Sequence, residues 1–278
     1  MIRTAIPFYY FCFSRLPTLP EKISWTLLYI VPVVFFCRYF ASLSWAMFLP
    51  VLVIALASLF SLYETGYIAN DVLTVKNEQN PTLRLSETVR LRLEKRFAII
   101  VGGKLVLTML GVVWIVNLGE NRDVGLFPGQ FSVCLVMILA LYHLHNSIRN
   151  RWNILSYFLL SLLKYAAPLL LFVGVSDAVV PVALCTILFP LCRSIEEASK
   201  VRHGIKSVQR MVGGLDAFRI KYYLILVLVT ALTICIYPGA TARFFFGQAL
   251  FFLAYRSGVL LVFRGFPTFG RRFGRGVK

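Results

Sequence analysis

A chain of 278 residues with 59% apolar and only 15% charged residues departs from water-soluble domains, in which about 25% of residues are charged. The net charge of +17 raises nucleic acid as a partner, yet the Lys and Arg residues fall between apolar runs and form no stripe or RNA-type motif, so no nucleic-acid binding is expected. Dinucleotide fingerprint, P-loop and Ser-His-Asp order are all missing from the sequence, which removes those enzyme classes. Cys12, Cys37, Cys134, Cys185, Cys192 and Cys235 are scattered without metal-ligand spacing and read as small buried hydrophobes.

In chain order, Met1 to Leu16 carries Arg3 and several aromatics without a cleavage site, the pattern of an interfacial segment. About 20 apolar residues, rising 1.5 Å each, cross a hydrocarbon core of about 30 Å. The apolar runs predict spans over Ile23–Phe40, Trp45–Asn70, Phe97–Asn117, Leu126–His145, Trp152–Val175, Ala178–Lys200, Tyr222–Tyr237 and Ala242–Phe263. Pro50, Pro168, Pro181 and Pro190 interrupt spans, which membrane helices tolerate where neighbours satisfy the freed carbonyls. Asp216 after Gly213-Gly214 is a predicted N-cap for the seventh helix. The fold class is therefore all-α, a multi-pass membrane bundle in one domain covering 1–278.

The basic residues give an independent check. Starting from an inside N-terminus, the inside segments hold 3, 6, 2, 7 and 5 Lys and Arg, while the opposite loops hold only Arg38, Arg122 and Arg243. This asymmetry places both termini on the cytoplasmic side of the bilayer, and the expected location is a bacterial inner membrane. Lys104, Lys164 and Arg256 lie within spans, where a charge needs a partner or must snorkel.

Two stretches carry the acids. After the second apolar run, Glu64, Tyr67, Asp71, Thr74 and Glu78 step by 3, 4, 3 and 4, one face of a helix that continues out of the run. Acids at the end of a membrane helix suit a cation or a phosphate–metal complex. The second concentration is Glu196-Glu197, with Glu196, Lys200, His203 and Ser207 on one helical face and i,i+4 pairs Glu196–Lys200 and Arg193–Glu197. Both stretches sit at predicted cytoplasmic helix ends, and facing each other they would form a metal and phosphate pocket.

Together the two stretches resemble the UbiA-type intramembrane prenyltransferases, whose N-D-x-x-D-x-x-x-D and D-x-x-x-D motifs follow the second and sixth helices. The first reads Asn70-Asp71-Val72-Leu73-Thr74-Val75-Lys76-Asn77-Glu78, preceded by Tyr67 and followed by Pro81-Thr82-Leu83-Arg84; the second reads Glu196-x-x-x-Lys200, then Gly204-Ile205-Lys206-Ser207. The chain departs from the pattern at Thr74, Glu78, Glu196 and Lys200, and its eight spans compare with nine in many members, so the resemblance implies a UbiA-like bundle of 8–9 transmembrane helices.

The resemblance further implies a Mg²⁺-dependent transfer of a polyprenyl group from its diphosphate to an acceptor at the cytoplasmic mouth. Carried over, Asp71 and Glu78 hold one Mg²⁺ and Glu196 a second or shared one, with Asn70 beside them. Lys200 contacts phosphate; Tyr67, Arg84, Arg149, Arg151 and Lys206 are further phosphate or substrate contacts. Glu64 either orients the acceptor or pairs with Lys104 or Arg256. The same first motif also resembles decaprenyl-phosphate phosphoribosyltransferases, which move a sugar phosphate from a diphosphate donor to a polyprenyl phosphate. Thr74 and Lys200 motivate a third reading, a non-catalytic member that keeps only the bundle.

Overall fold

The computed structural model describes residues 2–77, 83–122, 125–148 and 150–265. The described residues are helical throughout, with no strand among them. Eight helical segments are long and apolar enough to cross a membrane: Leu19–Phe40, Trp45–Lys76, Phe97–Glu120, Pro128–Ser147, Trp152–Leu170, Val179–Ala198, Leu215–Ile236 and Ala240–Val262. The protein is thus an integral multi-pass membrane protein. Each predicted span has its counterpart, with ends shifted by a few residues. The largest shift is in the seventh, which begins at Leu215 rather than Tyr222.

The first compact unit is Met1–Ala183. It opens with a short helix α1 (Tyr9–Arg15), then α2 (Leu19–Trp25), whose N-cap Thr18 forms a capping box with Glu21. A π turn over Thr26–Ile30 leads into α3 (Val31–Phe40). Pro32 lacks an N–H, so the normal bond to the carbonyl four residues back is impossible, and the Val31 N–H reaches the Thr26 carbonyl instead.

The longest helix, α4 (Trp45–Val72), is apolar on all sides, as befits a central membrane helix. It packs against α6 (Phe97–Arg122) and α7 (Pro128–Ser147), and more lightly against α1, the amphipathic α5 (Glu87–Lys95) and α8 (Trp152–Leu170). Two α4 contacts depend on missing side-chain bulk. A Cβ on Gly66 would lie 2.3 Å from the Tyr142 ring of α7, and one on Gly111 of α6 would lie 2.2 Å from the Ser58 Oγ of α4. Small residues let membrane helices approach in this way. Gly66→Ala is therefore expected to cost about 1–3 kcal/mol through overpacking, read from equilibrium unfolding in mixed micelles.

The second compact unit is Leu184–Lys278. The sixth span consists of α9 (Val179–Thr186), a π turn over Ile187–Leu191 containing Pro190, and α10 (Cys192–Ala198). Carbonyls in this irregular turn find donors on α12 (Leu215–Ile236): Tyr222 donates to the Ile187 carbonyl at 2.5 Å and Tyr223 to the Leu188 carbonyl at 3.1 Å. In lipid, where water cannot reach a weakly bonded carbonyl, such donors support the irregular turn. A short α11 (Lys206–Val212) ends at Gly213, whose φ of 53° turns the chain into α12. The cap of α12 is Gly214, while Asp216 sits in the first turn and accepts from Arg219 Nη1 at 2.9 Å. The last helix, α13 (Ala240–Gly265), packs along α12.

Candidate phosphate site

Asp71 stands in the last turn of α4, where that helix leaves its apolar stretch. Glu64, Tyr67 and Asp71 keep the predicted helical face, but α4 stops at Val72 and a 3₁₀ turn covers Thr74–Asn77. Thr74 consequently folds back, its Oγ1 donating to Asn70 Oδ1 at 3.2 Å. Glu78, the second carboxylate of the expected pair, lies outside the described residues.

The face carrying Asp71 meets the N-terminal segment. Tyr10 donates its hydroxyl to Asp71 Oδ2 at 2.7 Å, and Arg15 Nη2 reaches Oδ1 at 3.0 Å. Arg84 places Nη1 3.5 Å from the same Oδ1. The Arg15 guanidinium also lies over the Tyr67 ring, 4.7 Å from its centroid, so Tyr67 supports an arginine here. Burial, reinforced by the neighbouring carboxylate, raises the Tyr10 hydroxyl above the ordinary tyrosine range, and it remains a neutral donor.

Among the described residues, the Asp71 carboxylate faces two guanidinium groups. Arg15 Nη1, moreover, is buried without a hydrogen-bond partner among the described residues. A buried guanidinium donor left unmatched is costly, and a phosphate oxygen is the acceptor that its planar fork matches best.

One to two turns deeper, Glu64 is fully buried and ion-paired with the equally buried Lys104 at 2.5 Å. Its Oε1 accepts the Phe11 backbone N–H at 2.6 Å. Of the two roles open to Glu64, pairing with Lys104 is the one the geometry realises. Lys164, for which the sequence names no partner, has its ammonium 4.2 Å from the Tyr29 ring centroid, with the rings of Phe11, Phe60, Tyr63 and Tyr165 at 5.6–5.9 Å. Several aromatic faces thus stabilise one intramembrane cation.

In the second unit, Glu196 and Glu197 point to different partners. Both Glu196 oxygens take Arg219, from Nε at 2.6 Å and Nη2 at 2.7 Å, and Oε2 also faces Arg193 at 3.2 Å. Glu197 takes Lys200 at 2.6 Å, Arg202, and His203 at 3.5 Å. The expected i,i+4 pairs are replaced by i,i+3 pairs Arg193–Glu196 and Lys200–Glu197. For Glu196–Lys200 the physical reason is that α10 ends at Ala198, so Lys200 and His203 leave the helix that would have aligned them with Glu196; for Arg193, Glu196 is simply the nearer carboxylate, at 3.2 Å. Arg256 of α13 has a buried Nε without a hydrogen-bond partner among the described residues. Lys206 opens α11 exposed to solvent, Arg151 is the exposed N-cap of α8, and Arg149 lies outside the described residues.

No protein-family model, curated protein or solved structure matches the chain.

Among the described residues no group of three His, Cys, Asp or Glu converges on a point. Mg²⁺ needs only one or two carboxylates when substrate phosphates complete its shell. Asp71 suits that role: both arginines share Oδ1 while Oδ2 takes Tyr10 alone, so Oδ2 keeps acceptor capacity. At Glu196, with Arg219 on both oxygens, the arrangement suits a guanidinium rather than a metal ion.

Sequence reasoning missed Tyr10, Arg15 and Arg219. The first two belong to a segment whose composition signals only interfacial contact, and Arg219 falls before the predicted span, among basic residues read as a cytoplasmic topology signal.

Proposed function

We propose that the protein is a UbiA-like intramembrane prenyltransferase, taking a polyprenyl group from its diphosphate to an acceptor, with the diphosphate held at the Asp71 end of α4. The observation that carries this reading is the buried, unpartnered Nη1 of Arg15 beside a carboxylate outnumbered by arginines. Arg15 and Arg84 donate to the phosphate oxygens and hold the negative charge that grows on the diphosphate as the allylic C–O bond breaks. Tyr10 keeps Asp71 oriented and contributes no charge. Asp71 would be the ligand for Mg²⁺, which when bound would supply Lewis-acid neutralisation of the leaving diphosphate. The prenyl chain stays in the bilayer phase, which suits a site at the end of a membrane helix.

Both described clusters pair each carboxylate with more than one cationic group, and that excess also favours the second reading, in which a phosphoribosyl-type diphosphate donor and a polyprenyl phosphate are the substrates. Binding of farnesyl diphosphate to the chain in nanodiscs separates the cases. Prenyl transfer predicts binding that Arg15→Gln weakens about 10- to 100-fold, the worth of one charged hydrogen bond. Preference for phosphoribosyl diphosphate, with the same dependence on Arg15, would select the second reading. Failure to bind either diphosphate would leave a non-catalytic membrane protein.

A further inference from the structure

A second feature of the first unit, independent of the Asp71 site's assignment, is an apolar cavity of about 490 Å³ between the N-terminal segment, α5 and the start of α6. This is the size of a small-molecule site. The N-terminal side is Thr4, Ala5, Tyr9, Tyr10 and Phe13. From α5 come Val89, Arg92 and Leu93, with Arg96 directly after the helix, a single stripe at i, i+3, i+4 and i+7. From α6 come Ile99, Ile100 and Gly103.

The lining is sorted by depth. The third span begins at Phe97, so Arg92 and Arg96 precede the bilayer core while Ile99 and Gly103 lie within it. Seven residues separate Arg96 from Gly103, about 10 Å along a helix. Both arginines are exposed, and neither has an ion pair or side-chain hydrogen bond among the described residues. Among the apolar lining residues Phe13 is 51% and Ile99 76% exposed, so the groove is open rather than enclosed. Two unmatched cations above an apolar slot complement one kind of molecule, an anionic amphiphile with its headgroup at the interface and its tail along α6.

We propose that this groove binds an anionic phospholipid of the surrounding bilayer, the phosphate on Arg92 and Arg96 and one acyl chain against Phe13, Ile99 and Gly103. The full chain in nanodiscs containing equal dioleoyl phosphatidylglycerol and dioleoyl phosphatidylcholine, extracted into detergent and weighed by native mass spectrometry, tests it. Phosphatidylglycerol should be retained in preference to phosphatidylcholine. Arg92→Gln with Arg96→Gln should reduce that preference about twentyfold, at about fivefold for each interfacial charge. Gly103→Phe should displace both lipids, because a Cβ there meets only the Ala5 Cβ at 4.0 Å and the ring has the groove to fill. Should Gly103→Phe unfold the chain in a thermal melt, the exposed arginine pair decides alone. Equal retention of the two lipids, an unchanged preference in the arginine variant, or a dimer mass without bound lipid would overturn the proposal.

Discussion

Replacing Lys104 by methionine is expected to destabilise the protein by about 3–5 kcal/mol, the cost of leaving one member of a buried ion pair without its partner. Methionine keeps much of the lysine stem's volume, so the loss reports charge rather than a cavity. Both side chains of the Glu64–Lys104 pair are inaccessible to solvent, and the remaining Glu64 carboxylate would keep the Phe11 N–H as a donor but no cation at bonding distance. Replacing both residues, as Glu64→Gln with Lys104→Met, should recover most of the loss, because the double variant buries no unpaired charge. Equilibrium unfolding in mixed micelles measures the cycle. A single variant that loses less than about 1 kcal/mol would mean that the pair is not closed to water.

The second large effect concerns turnover. Asp71→Asn keeps the shape of the side chain and an oxygen for Tyr10 but removes the charge that faces Arg15 and Arg84. In proteoliposomes supplied with a polyprenyl diphosphate and Mg²⁺, the rate of prenyl transfer should fall about 10²- to 10³-fold, the scale for losing a group that stabilises charge only in the transition state. Diphosphate binding without Mg²⁺ should persist or tighten, since both arginines are then released to the phosphates. A drop in affinity with unchanged turnover would assign Asp71 to ground-state binding.

The contrast between what the sequence predicts and what it leaves hidden has a physical origin. Bilayer thickness imposes a length and composition on every span, so eight apolar runs map onto eight helices. An intramembrane carboxylate must find a cation, which makes Lys104 and Arg256 the candidates for Glu64 in the sequence alone. The partners of Asp71 obey no such local rule. Tyr10 and Arg15 lie 61 and 56 residues away in sequence, on a helix only two turns long whose docking is decided by ring contacts such as Phe8 on Phe60 and Phe11 on Tyr67. Lys164 is hidden for a different reason: its partners are aromatic faces, and aromatics are too common in membrane helices to announce one site. Helix ends account for the remaining differences. The expected face through Glu196, Lys200 and His203 assumes that helix continues, whereas α10 ends at Ala198. Arg219 is hidden because it precedes the span predicted from Tyr222, and its contact with Glu196, 23 residues away, has no local signal.

The central claim is that the arginine-flanked carboxylate at the end of α4 receives a diphosphate. An experimental structure of the lipid-embedded protein with Mg²⁺ and a non-hydrolysable farnesyl diphosphate analogue tests it most directly. The account predicts phosphate density within hydrogen-bond distance of Arg15 Nη1 and Arg84, with a metal ion on Asp71. Well-ordered diphosphate density elsewhere, with Arg15 and Arg84 still closed on an unliganded Asp71, would contradict it.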